Sequence, residues 1–203
     1  MGVSRKEKER QQRRALLLEA AAAVFARRTF DEATMQEVAA EAEIGMQGLY
    51  EHFPSKQDLY EQLVTGRADA FRARADEALW GVVHPLEQLR VLADVYVRHF
   101  RETPMFLPLF IRDRVLSDWG LKSRFDERFR RIYEEELLRL RRILESAMDQ
   151  GLVRALDPGF LTRACLGVLE ASLHVTHGLP EEEVNACVNR AMDCFLSGVG
   201  ARP

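Results

Sequence analysis

The chain has 203 residues, of which 47% are hydrophobic and 30% are charged, and it contains 3 cysteines. This composition excludes a disordered chain, a collagen-like fibre and a small domain stabilised by disulfides. The net charge is −3, so any binding of nucleic acid must come from a local basic surface rather than from bulk positive charge.

The cysteines and the N-terminus indicate the cellular compartment. Three cysteines, an odd number near the end of the chain, suit a reducing compartment better than a disulfide framework. A basic start followed by apolar residues imitates a signal peptide, but Glu19 interrupts the apolar part and Arg27 and Arg28 follow it closely. We therefore predict a cytoplasmic protein whose first helix begins in this region.

Helical spacing of apolar residues recurs along the chain, and no run of four or more residues alternates like a strand. The pattern predicts an all-α fold of about nine helices. Residues 1–14 carry six basic and two acidic side chains, which predicts an arm that becomes helical near Arg13. Such an arm is either a solvated tail or an element that contacts phosphates, and the sequence leaves both open.

Two short helical patterns follow one another after the first helix. Thr34 and Glu37 form a T-x-x-E capping box, so a helix begins there. Ala39 is the small residue needed where two helices cross steeply, and a second helix runs from Met46 to about His52. The spacing is that of a helix-turn-helix, whose second helix can lie in a major groove, although an ordinary helical hairpin would share it.

Another helix starts directly afterwards. Pro54 stops the preceding helix, Ser55 can cap the next one with Asp58 three residues on, and Lys56 lies in its first turn. Free backbone N–H groups and a lysine at this helix start suit a phosphate.

A resemblance to a known family is carried by the run TFDEATMQEVAAEAEIGMQGLYEHFPSKQDLYEQLV. It resembles the N-terminal domain of TetR-type (tetracycline-repressor-like) transcription regulators, most specifically in GLYEHFPSKQDL. The close resemblance covers about residues 14–64. The chain departs from the family's pattern where Thr29 and Glu43 replace glycines and where Gly45 replaces a Ser or Thr cap.

The resemblance implies a helix-turn-helix DNA-binding domain over residues 1–56, with the basic arm at 1–14, and a ligand-binding and dimerisation domain over residues 57–203. Residues 1–60 hold nine basic and ten acidic side chains, so one protomer should bind DNA modestly. We therefore expect a homodimer on a palindromic operator, with recognition helices about 34–36 Å apart.

The DNA-contacting residues implied by the resemblance are Thr34, Met46, Gln47, Gly48, Tyr50, His52 and Lys56. Met46 and Gln47 would face base edges, Gly48 would let the backbone approach closely, and the other four would contact phosphates. The alternatives are that Tyr50 is a core tyrosine with a satisfied hydroxyl and that His52 is a surface histidine.

Aromatic side chains concentrate in the middle of the chain. Pro104 to Ile111 is apolar on every side, and Pro108 should bend that helix. The aromatic residues either fill a core or line a cavity for an apolar ligand. The candidate ligand-binding residues are Tyr96, His99, Phe100, Phe106, Phe110, Trp119 and Phe129.

The last two helices are predicted to form the homodimer interface as a four-helix bundle with a second copy. Gly167 and Ala171 permit close approach, and an apolar stripe runs along the final helix. The stripe consists of Val184, Cys187, Val188, Ala191 and Phe195.

No catalytic, metal or cofactor site is predicted. The chain lacks G-x-S-x-G, a Walker loop and G-x-G-x-x-G, so it is not expected to be an enzyme. His174 and His177 could present two nitrogens to a metal, but no H-E-x-x-H or C-x-x-C accompanies them.

Together these patterns predict a homodimeric, ligand-responsive transcriptional regulator that represses by binding an operator and has no membrane partner. An alternative is a ligand-insensitive architectural or partner-bridging DNA protein on the same scaffold. A third is a helical small-molecule binder or enzyme that no longer reads DNA.

Overall fold

The computed structural model describes residues 4–102, 127–176 and 178–200. Within these ranges the chain forms eight helices and no strand, which confirms the predicted all-α fold. The helices are α1 (Arg5–Arg27), α2 (Met35–Glu41), α3 (Met46–Tyr50), α4 (Lys56–Leu79), α5 (Pro85–Glu102), α6 (Glu127–Asp149), α7 (Pro158–Val175) and α8 (Glu181–Val199). None of these described helices is long and apolar enough to cross a membrane. The predicted apolar helix over Pro104 to Ile111 lies outside the described residues.

Helix α1 begins nearer to the N-terminus than the sequence predicts. The Ser4 hydroxyl accepts a hydrogen bond from the backbone N–H of Glu7 at 3.2 Å, which caps the helix at Arg5 rather than near Arg13. Arg5 also pairs with Glu9 one turn later at 2.8 Å. The prediction of a non-helical arm is therefore wrong for the described part of residues 1–14, because local caps and i,i+4 pairs stabilise a helix that buries little.

The described residues divide into two compact units. One contains the residues up to Arg67 together with 127–129, and the other contains 68–102 and 130–200. Helix α4 starts in the first unit and ends in the second. In the first unit, the ring of Tyr60 packs edge-on against Phe25 and Phe30, with centroids 5.1 and 5.0 Å away.

In the second unit, α5 packs against α7 and α8. Arg98 of α5 bonds to Asp94 on its own helix and to the side chain of Asn185 on α8 at 2.7 Å. Helix α8 begins after Pro180, as predicted, with three glutamates in its first turn.

The predicted apolar stripe of α8 faces the interior of the protomer. Val184, Val188 and Phe195 are only 1%, 3% and 7% exposed, so they form the core and cannot also be a dimer surface. Cys187 and Ala191, at the edge of the stripe, are partly exposed. The stripe prediction was wrong because a helix must first bury an apolar face against its own chain.

Candidate nucleic-acid interface

The start of α2 is fixed by the capping box that the sequence predicts. The Thr34 hydroxyl accepts from the backbone N–H of Glu37 at 3.2 Å, and the Glu37 carboxylate accepts from the backbone N–H of Thr34 at 2.9 Å. The same carboxylate accepts from the Thr34 hydroxyl at 3.0 Å. The backbone bond, followed by the hydroxyl bond, lowers the pKa of Glu37 below its usual value.

The turn between α2 and α3 uses a left-handed residue. Glu43 has φ 53°, the conformation that favours the glycine it replaces, at a cost of about 1 kcal/mol. The chain then returns with a hydrogen bond from the backbone N–H of Ile44 to the carbonyl of Ala39 at 2.9 Å. Gly45 occupies the cap position of α3 without any side-chain hydrogen bond.

Helix α3 is short and is held from beneath. Leu49 and Phe53 are both 0% exposed, so they anchor the helix and the residues that follow it. Gln47 is exposed on the opposite side, and Tyr50 is 48% exposed, which excludes the core-tyrosine alternative. The helix therefore presents polar side chains outward from a fixed base.

Arg14 of α1 stabilises the end of this element. Its guanidinium donates to the carbonyl of His52 at 2.9 Å and lies 4.5 Å from the centroid of the Phe53 ring. The sequence analysis did not single out Arg14. Arg14 precedes the buried Leu17 by three residues, so both lie on the same face of α1. This spacing is the signal from which an inward position of Arg14 could have been predicted.

Lys56 lies in the first turn of α4, and its side chain reaches the loop before α2. Its ammonium donates to the carbonyls of Phe30 at 2.7 Å and Ala33 at 2.8 Å, with Asp31 at 3.4 Å. The three donors of the ammonium are thus directed at the loop before α2. A direct phosphate bond from Lys56 would have to replace one of these contacts.

The other predicted DNA-contacting residues lie in the same unit. Thr34 is exposed, whereas Met46, Gly48 and His52 are half-buried. A Cβ built at Gly48 would meet only the Ile44 side chain at 3.7 Å, so packing within the protein does not require glycine there.

The predicted ligand-binding residues separate into three groups. Tyr96, His99 and Phe100 are buried together in the second unit, with Tyr96 and Phe100 ring centroids 4.7 Å apart. Phe71, which the sequence analysis did not single out, joins them at 5.5 Å from the His99 ring. Phe129 is buried and belongs to the first unit. The remaining three, Phe106, Phe110 and Trp119, lie outside the described residues. His177, considered above only as a possible metal ligand, also lies outside them.

Comparison with known proteins identifies the N-terminal segment. Residues 17–63 match the model for "Bacterial regulatory proteins, tetR family". The chain is 39% identical over 80 residues to the HTH-type transcriptional repressor KstR2 of Mycobacterium tuberculosis, a match that covers 39% of this chain and 40% of that protein. It therefore spans less than half of the length of the first curated relatives that it matches. A weaker match, 26% identical over 145 residues, is to the nucleoid occlusion factor SlmA of Vibrio atlanticus and covers 70% of this chain and 71% of SlmA.

Solved structures extend the likeness of fold to nearly the whole chain. The ketosteroid transcriptional regulator KstR2 of Mycobacterium tuberculosis superposes with a TM-score of 0.80 at 22% identity, covering 94% of this chain and 96% of that chain. The regulator FadR of Bacillus subtilis, solved with stearoyl-CoA, gives a TM-score of 0.68 at 16% identity, covering 91% and 98%. The capping box, the left-handed turn and the anchored α3 all lie within residues 17–63, and this segment of the chain is similar to the TetR family of bacterial regulatory proteins.

Proposed function

We propose that the chain is a transcriptional repressor that binds a palindromic operator as a homodimer and releases it when an apolar small molecule binds. The observation that carries this proposal is the arrangement of α3, which exposes Gln47 and Tyr50 above the buried Leu49 and Phe53. A glutamine can bond adenine in two places, and Met46 can contact a thymine methyl. The DNA-binding domain would be residues 1–56, and residues 57–203 would bind ligand and dimerise.

Two copies are needed because one copy carries little electrostatic affinity. Residues 1–60 have nine basic and ten acidic side chains, so specific binding requires two recognition helices on one duplex. The outward face of α7 supplies a surface for pairing. Gly167 and Ala171 are exposed there, a Cβ added at Gly167 meets nothing within 4 Å, and Phe160 and Val175 are each 64% exposed. Small residues flanked by apolar ones suit the close packing of two helix pairs.

The ligand proposal is supported by the aromatic cluster of the second unit. Tyr96, His99, Phe100 and Phe71 place four rings side by side with two polar groups among them. Among the similar folds, one is described as a ketosteroid transcriptional regulator and one was solved with stearoyl-CoA. A steroid is largely apolar, and stearoyl-CoA joins a long apolar acyl chain to a charged coenzyme A group. Helix α4 joins the two units, and a ligand that shifts it would change DNA affinity by the 1–3 kcal/mol typical of coupled sites.

Selection of duplexes from a random DNA pool tests the proposed DNA binding. We expect an inverted repeat whose half-sites are centred about one helical turn, roughly 10 base pairs, apart. Enrichment no greater than the salt-dependent background would contradict the proposal and would favour a helical protein that no longer reads DNA.

Titration of the selected complex with stearoyl-CoA, and separately with a ketosteroid, tests the release step. The proposal expects at least one probe to weaken operator binding about fivefold or more. The second candidate is an architectural or partner-bridging DNA protein, which the similarity to the nucleoid occlusion factor SlmA favours. Unchanged operator affinity with both probes would support that candidate.

A further inference from the structure

A groove of about 520 Å³ lies between the first turns of α1 and the end of α3, within the first unit. We call it the α1 groove. Six of its seven lining residues are exposed, and the seventh, His52, is half-buried, so the groove is open to solvent. The lining residues are Ser4, Lys6, Glu7, Arg10, Arg13, Glu51 and His52.

The groove collects three cations from one face of a helix. Lys6, Arg10 and Arg13 are spaced i, i+4 and i+7, so they lie along one side of α1 over about 10 Å. The side chains of these three residues form no ion pair or hydrogen bond with any residue that the structure describes, whereas the side chain of neighbouring Arg5 is paired with Glu9. Three uncompensated cations outnumber the two glutamates of the lining, so the groove favours an anion.

The opposite wall of the groove is rigid and continuous with α3. Arg14 holds the backbone of His52 through its carbonyl, and Phe53 beneath it is fully buried. Nδ1 of His52 is buried and has no hydrogen-bond partner among the described residues. Glu51 and His52, which form this wall, lie about one helical turn beyond Gln47. The groove therefore adjoins the exposed face of α3.

We propose that the α1 groove seats the phosphodiester backbone of the DNA strand that borders the major groove read by α3. This inference rests on the proposed function and extends the contact surface from the helix-turn-helix to Lys6, Arg10 and Arg13. A strand carries one charge per roughly 3.4 Å of helix axis, so a row of about 10 Å can meet more than one phosphate. The contacts add affinity without reading bases.

The test compares three variants that each lose one positive charge. Arg10→Gln and Arg13→Gln each remove a cation from the groove. Lys8→Gln removes another exposed cation of α1, whose side chain has no partner among the described residues. Lys8 points about 200° away from Arg10 around the helix and does not line the groove. Affinity for the operator selected by the wild-type protein is measured between 50 and 200 mM salt.

In the wild type, log affinity falls linearly as log salt concentration rises, and each groove variant should make this fall shallower by about 0.9. Between 50 and 200 mM salt, each variant should therefore lose about 3.5-fold less affinity than the wild type does. The consensus selected from a random pool should not change. Lys8→Gln should keep the wild-type slope, and Glu7→Gln, which removes a negative charge from the groove, should tighten binding.

Equal slopes for Arg10→Gln, Arg13→Gln and Lys8→Gln would overturn the inference while leaving operator binding by the wild-type protein intact. A wild-type protein that selects no consensus would overturn both the inference and the proposed function. Thermal unfolding followed by circular dichroism should be unchanged in all variants, since the substituted side chains are exposed.

Discussion

The ammonium of Lys56 donates to the carbonyl of Phe30 at 2.7 Å and lies 4.6 Å from the centroid of the same residue's ring. A second bond reaches the carbonyl of Ala33 at 2.8 Å, directly before the capping residue Thr34. The first turn of α4 is thus tied to the loop that starts α2. In this arrangement we expect Lys56 to act on DNA binding mainly by positioning the helix-turn-helix.

Lys56→Gln should therefore weaken DNA binding through the fold. Loss of the charged hydrogen bonds should lower the free energy of unfolding by about 1–3 kcal/mol, while the salt slope of operator binding stays close to that of the wild type. Urea titration and binding at several salt concentrations measure the two quantities. A slope smaller by about 0.9 with unchanged stability would show instead that Lys56 contacts a phosphate.

Gly45→Ser should stabilise the protein. Gly45 caps α3 with φ −72° and ψ 153°, a conformation open to any residue, and a Cβ there meets nothing within 4 Å. A serine hydroxyl can accept a hydrogen bond from an unpaired backbone N–H in the first turn of α3, and serine also has less conformational freedom than glycine in the unfolded chain. Together these effects should raise the free energy of unfolding by about 0.5–1 kcal/mol. Chemical denaturation checks the value, and a lower midpoint than that of the wild type would refute the assignment of the cap.

Cys165 should make stability depend on alkaline pH. Burial raises the pKa of its thiol from 9.0 to about 12. The folded state therefore holds the thiol proton more tightly than the unfolded state does. The contribution of Cys165 to the free energy of unfolding is complete below pH 9 and is lost as the pH rises toward 12. The loss should approach about 1.4 kcal/mol per pH unit in that window and be absent in Cys165→Ala. Identical pH slopes for the wild type and Cys165→Ala would contradict this account.

Ala171→Glu should separate the proposed homodimer. Ala171 is exposed on α7, so a glutamate is tolerated in the protomer but places two like charges near the symmetry axis of the pair. Ala73→Glu, at an exposed position of α4, is the matched control. Sedimentation velocity should find a monomer for Ala171→Glu and a dimer for the control. If both variants sediment with the same mass as the wild type, the dimer interface does not include Ala171.

Local patterns predicted the helix-turn-helix well. The capping box of Thr34 and Glu37 depends on neighbours in sequence, so residue types at fixed spacing were sufficient to predict it. The sequence did not predict the early start of α1, because its first turns lack an apolar face. The cap at Ser4 stabilises these turns instead.

Contacts between segments that are distant in sequence could not be predicted, for a different reason. The carbonyls that Lys56 binds lie 23–26 residues earlier, and backbone acceptors leave no mark on residue type. Periodicity likewise showed that Val184 and Val188 share an apolar face, but it could not tell which neighbour covers that face.

The most direct test of the account compares the operators selected from one random pool by the wild-type protein and by Gln47→Ala. Gln47 is exposed on α3, and Gln150→Ala, exposed at the end of α6, serves as the control. The account predicts an inverted repeat that loses its base preference at the same position of both half-sites only in Gln47→Ala, at about 1–3 kcal/mol per contact. An unaltered consensus, or a change confined to one half-site, would contradict it.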